Sequence, residues 1–129
     1  NTIKDPAHLA SAKLLCEKVF EPIREHFGVP IHISSGYRSA ALNRAVKGSA
    51  SSQHCKGEAM DIDADRYGKV TNKEIFDYIR EHLEWDQMIW EFGNDSQPDW
   101  VHVSFKATGN RKQILKAIKE GASTEYVKY

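Results

Sequence analysis

Two short stretches of the chain, residues 58–64 and 100–105, share one pattern: apolar side chains alternate with acid, imidazole or hydroxyl groups. In EAMDIDA, Met60 and Ile62 fall on one side, and Ala59, Asp61 and Asp63 fall on the other. In WVHVSF, Val101, Val103 and Phe105 share a side opposite Trp100, His102 and Ser104. A period of two belongs to a β-strand, whose successive side chains point to opposite faces. Each stretch therefore offers one face to a core and keeps the other for polar chemistry. IHISSGYR and DQMIWEFG also read as strands. The six residues NDSQPD between DQMIWEFG and WVHVSF predict a hairpin.

A period near 3.6 governs much of the rest. DPAHLASAKLLCEKVFEPIREHF predicts a helix, with Asp5 as N-cap and Pro6 suited to the first helical position. Leu9, Leu15, Cys16, Val19, Ile23 and Phe27 form its apolar stripe. Pro22 is expected to kink or divide it, and Gly28 and Pro30 to end it. SAALNRAV predicts a short helix capped by Ser39. TNKEIFDYIREHLEW predicts an amphipathic helix with Ile75, Phe76, Ile79 and Leu83 inward, and DRYGK before it reads as a turn. NRKQILKAIKEG predicts a closing helix with a basic solvent face, and the tail after Gly121 is expected to fray. This order favours an α+β fold, a small, mainly antiparallel sheet with helices over one face and a polar groove on the other.

Composition narrows the setting. The 129 residues suit one domain, 1–129, and no linker or repeat divides them. Lys plus Arg and Asp plus Glu number 18 each, so no net field draws the chain to nucleic acid or an anionic membrane. No run of 18 apolar residues is long enough to span a bilayer, and a monomer is expected. No signal-like segment is evident, and the sequence begins at Asn1. Cys16 falls on the helical stripe and reads as a core thiol, whereas Cys55 lies in a polar loop. Two cysteines make no disulfide scaffold, although a single bridge between them stays open.

The chemistry gathers in SSQHCKGEAMDIDAD, residues 51–65. His54 precedes Asp61 by seven residues, in a loop able to fold back over the polar face that Asp61 and His102 share. Two imidazoles and a carboxylate suit zinc, and three protein ligands leave the fourth position to water. The competing reading makes His102 a sheet residue with a satisfied ring and Asp61 a turn or cap residue. Spacing alone leaves both open. His8, His26, His32 and His82 lack such pairing and read as surface residues. Cys55 adjoins His54, but neighbours on an extended segment point apart, which leaves His54 badly placed to activate a thiol.

The string SGYRS, LN, GS, SQHCKGEAMDID and WVHVSF resembles the zinc D-Ala-D-Ala carboxypeptidases and murein endopeptidases of metallopeptidase family fifteen, related in fold to the hedgehog signalling domain. Ser52, His54, Gly57, Ala59 and Asp61 match the first half of that signature, and Trp100 with His102 the second, over about residues 15–106. The resemblance, closest to compact phage and bacterial members, implies that His54, Asp61 and His102 bind one zinc. It implies hydrolysis of peptidoglycan stem peptides, by carboxypeptidase cleavage at D-Ala-D-Ala or endopeptidase cleavage at a bond such as L-Ala-D-Glu, and hence action at the cell wall. It places a catalytic carboxylate at Asp99, three residues before the last histidine. Glu91, across the hairpin from His102, is the rival base. Arg38 matches the arginine that steadies a developing oxyanion. Ser52 and Gln53 are candidates to contact substrate or orient ligands, and Tyr37 and Trp100 to wall the groove. The alternative function is a non-catalytic binding module that keeps zinc for structure.

Overall fold

The computed structural model describes residues 1–129. The long amino-terminal helix is divided. Helix α1 (Pro6–Leu15) leads into a π turn (Cys16–Phe20) and then helix α2 (Glu21–Phe27). Pro22 explains the division: it lacks an N–H, and its ring crowds the carbonyl four residues back. The wide turn absorbs both, and the Glu21 N–H reaches back to the Cys16 carbonyl. Asp5 caps α1 as expected, accepting the Ala7 N–H.

The expected stripe is only partly buried. Leu15, Val19 and Ile23 reach the core, but Leu9 is 43 % exposed. The first turns of α1 rest on the loop around Gly57 rather than on the sheet. Cys16 is also exposed, which corrects its reading as a core thiol, because it lies a third of a turn from Leu15. Both cysteines are free.

Strand β1 is short (Ile33–Ser35), and helix α3 (Ala40–Ala45) starts at Ser39, whose hydroxyl accepts the Leu42 N–H. A 3₁₀ turn (Gln53–Lys56) precedes strand β2 (Ala59–Ile62). A second 3₁₀ turn (Ala64–Arg66) leads to helix α4 (Asn72–His82), begun by a reciprocal capping box between Thr71 and Glu74. Strands β3 (Gln87–Glu91) and β4 (Trp100–Ser104) form the expected hairpin. Its connection runs through residues 92–99, two residues longer at its start than expected, closed by the Asp99 N–H on the Glu91 carbonyl at 2.8 Å.

The last segment departs from expectation. Residues Gln113–Glu120 are strand β5, not a helix, and Ser123–Lys128 form strand β6 rather than a frayed tail. Ile114, Leu115, Ala117 and Ile118 have helical spacing, but pairing with β3 overrides it. As a strand, Ile114 reaches the edge of the core while Leu115 and Ala117 turn to the opposite face. Partial burial on both faces removes the period-two signal that marks β2 and β4.

The six strands run β1-β2-β4-β3-β5-β6, antiparallel except for β3 with β5. Met60, Ile62, Met88, Trp90, Val101 and Val103 on one sheet face pack with Val19, Ile23, Ile75, Phe76 and Ile79 from the helices. Phe76 meets Trp90 edge to face at 5.2 Å. Each of these side chains contributes roughly 1.5–3 kcal/mol on burial. The helices thus occupy one face, and the opposite face carries the polar side chains of β2, β4 and β3. No helix is long and apolar enough to cross a membrane.

Candidate metal centre

Asp61 of β2 and His102 of β4 are direct cross-strand partners and face the same side. The Asp61 carboxylate lies 3.0 Å from Nδ1 of His102. His54 arrives from the 3₁₀ turn, where the Ser52 hydroxyl accepts its backbone N–H at 3.2 Å. Gly57 ends that turn with φ +73°, and a Cβ there would stand 2.3 Å from the carbonyl of His8. Only glycine allows the chain to reverse so close beneath α1. The result is a His54 imidazole 2 % exposed, with Nε2 3.4 Å from Asp61 Oδ1. One donor atom from each of His54, Asp61 and His102 lies within 4.8 Å of the others.

The hydrogen-bond pattern fits this donor set to a cation. Nδ1 of His54 lies 2.8 Å from the Gly36 carbonyl, which can only accept, so that nitrogen carries the proton. In the neutral ring Nε2 then turns a lone pair toward the Asp61 carboxylate, acceptor against acceptor. A metal ion between them satisfies both. Burial alone would raise the carboxyl pKa of Asp61, but the His102 hydrogen bond, with the His54 ring close beside it, holds it far below the usual carboxylate range. Asp61 is thus deprotonated, as a ligand must be.

The cluster floors an open groove of about 740 Å³. Glu91 lines it one strand from His102, opposite Trp100 in the β3–β4 register, and is 6 % exposed. Burial, joined by the negative charge of Asp61, pushes its carboxyl up to about 8. Arg38, Ser52, Gln53 and Trp100 also line the groove. Arg38 is held by its backbone N–H on the His54 carbonyl at 3.1 Å, and its buried Nε has no partner within the chain.

Two expected site residues stand elsewhere. Asp99 is exposed and does not line the groove. Its carbonyl accepts from buried Asn72 at 3.0 Å. Tyr37 lies with Asn1 and His8 in a separate surface depression.

Supporting residues emerge that sequence spacing did not single out. Asp86 is fully buried, accepts Nε and Nη2 of Arg111 at 3.0 and 2.8 Å, and takes the Gln53 amide at 3.1 Å. Burial opposes ionisation, but the Arg111 and Gln53 bonds outweigh it and bring Asp86 down to about 2. Asn43, 4 % exposed, donates to the Ser49 carbonyl at 2.8 Å and fixes the loop beside Arg38. A Cβ on Gly48 would stand 2.1 Å from Asn43 Oδ1 and 3.1 Å from the Arg38 guanidinium. These partners are remote in sequence, so only the lack of alternation around DQM and the polar small-residue loop hinted at them.

The chain thus combines an α+β fold, helices on one face of the sheet, with a three-donor cluster able to hold a metal in a groove on the other, an arrangement suited to a metal-dependent hydrolase. Residues 2–104 match the family described as Peptidase M15, and the chain belongs to that family of zinc-dependent metallopeptidases. Comparison with curated proteins finds no match to the chain.

Proposed function

We propose that the chain hydrolyses peptide bonds in the stem peptides of bacterial peptidoglycan, with zinc held by His54, Asp61 and His102. The observation that carries this reading is the buried His54 lone pair aimed at an ionised carboxylate, with the buried carboxyl of Glu91 lining the same groove. Bound there, zinc supplies a Lewis acid that polarises a carbonyl and acidifies a water.

The remaining work falls to the chain's own groups. Glu91 acts as general base, taking a proton from the attacking water and returning it to the leaving amine. Its carboxyl, buried in the groove one strand from His102, is placed for that two-way transfer. Arg38 faces the groove with donors free to meet the negative charge that develops on the carbonyl oxygen. Trp100 walls the groove, while Ser52 orients the backbone of His54 and Gln53 ties its turn to Asp86. The groove, about 740 Å³ and open to solvent on the polar face of the sheet, has room for a short peptide, and the bond we assign is L-Ala-D-Glu or D-Ala-D-Ala.

The test is incubation of the zinc-loaded chain with purified peptidoglycan fragments, followed by mass spectrometry of the products. New peptide termini are expected, absent with chelator. Tight binding of fragments without new termini would point instead to a binding module with a structural zinc.

A further inference from the structure

Strands β5 and β6 lie beyond residues 2–104, the part of the chain that carries the family match. They nevertheless form one wall of the groove. In the sheet register Trp100, Glu91, Ala117 and Tyr126 stand in one row across β4, β3, β5 and β6. Ala117 is small and fully buried, so this row is low in the middle and rises again at Tyr126. Two pairs further along β5 and β6, on the same face, Lys119 and Thr124 also line the groove.

The charges on this wall are distinctive. Of the cations lining the groove, Arg38 and Lys47 come from the segment around α3, while Arg111, just ahead of β5, is engaged by Asp86 at 2.8 Å. Lys116, on the opposite face of β5, pairs with Asp95 at 2.9 Å. Lys119 meets no carboxylate. Its ammonium sits over the Phe92 ring, 4.5 Å from the centroid, and Phe92 packs edge to face on Trp100 at 5.5 Å. A cation parked on an aromatic face is partly ordered before ligand arrives, yet keeps its hydrogen-bond donors free. The only acids that line the groove are Asp61 and Glu91, both committed to the reacting centre.

We propose that the β5–β6 hairpin is the wall that selects substrate, and that Lys119 receives a free carboxylate of an anionic peptide lying in the groove. This rests on the peptidase reading for the identity of the peptide. Adjacent strands are about 4.8 Å apart, so β5 stands roughly 10 Å from β4. His102 is level with Leu115, four residues before Lys119, which adds roughly 13 Å along β5, so the two stand roughly 16 Å apart, about five residues of extended peptide. The carboxylate that Lys119 binds is therefore a few residues from the scissile bond, not the group under attack.

The experiment measures binding and cleavage separately on the zinc-loaded full chain. The probe is a stem pentapeptide with all carboxylates free, compared with versions in which each carboxylate is amidated in turn. Affinity is read by calorimetry in a Glu91→Gln background, and by competition against a slow substrate in the parent should that variant fold poorly. Amidation at one position is expected to weaken binding about tenfold or more. Lys119→Ala and Lys119→Gln are expected to abolish that difference, and Lys119→Arg to retain it. Equal affinity for every amidated form, or an undiminished preference in Lys119→Ala, overturns the subsite. A parent that shows the Lys119-dependent preference but never cleaves supports the subsite and overturns the peptidase reading instead.

Discussion

Glu91 sits on β3 one strand from His102, 6 % exposed, with the charge of Asp61 close by. Asp99 lies eight residues later, exposed in the bend before β4, and does not line the groove. Glu91→Gln is accordingly expected to retain metal and reduce turnover by roughly two to four orders of magnitude, the usual worth of a general base. Asp99→Asn is expected to change turnover less than about threefold. Initial-rate measurements on both variants decide it, and the reverse ranking would return the role to Asp99. The shared polar face of Asp61 and His102 was legible in the sequence, since alternation in EAMDIDA and WVHVSF makes them cross-strand neighbours. Asp99 precedes the first residue of β4, so the alternation does not place it, and it stands exposed outside the groove. Its match by position to the family's carboxylate concealed this. Tyr37 had no such rule to place it, because the segment after β1 is irregular and follows Asn1 rather than the groove.

At the scale of elements, the 3₁₀ turn that carries His54 is held in place by contacts from three directions. The Gly57 reversal lies under α1, the Ser52 hydroxyl caps it, and the Gln53 amide ties it to buried Asp86. Asp86 in turn gathers the backbone and side chain of Arg111 just ahead of β5. Its carboxyl has a lower pKa folded, about 2, than the ordinary 3.8. As pH falls below 4 the unfolded chain takes up this proton first, so the contribution is complete above that range and is lost as pH approaches 2. Asp86→Asn is expected to lower stability at pH 7 by about 1–3 kcal/mol and to flatten the decline between pH 4 and 2. Thermal melts across that range check both. An unchanged acid profile in Asp86→Asn would show that the pair carries no such weight. None of this was visible beforehand, because Gln53, Asp86 and Arg111 are separated by tens of residues. The β5 strand was hidden for a related reason: its identity comes from the free edge of β3, while its own residues fit a helix equally well.

Across the whole molecule the sheet is a partition. Its apolar face and the helices make the core, and its polar face gathers chemistry from β2, β4, β3 and, through the hairpin, β5 and β6. The α+β class and the two-faced sheet could be read from hydrophobic periodicity, because that periodicity is the physical cause of the partition. The hairpin wall could not, because its residues answer to β3 and not to their own pattern. The cluster lies outside the apolar core, so removing a metal ligand is expected to spare the fold. The most direct measurement is therefore elemental analysis of the purified parent, His54→Ala and His102→Ala, alongside circular dichroism of the same samples. About one zinc per parent chain is expected, with most of it lost in both variants while the folded spectrum remains. Full zinc occupancy in both folded variants would contradict the assignment of His54, Asp61 and His102 as the metal centre.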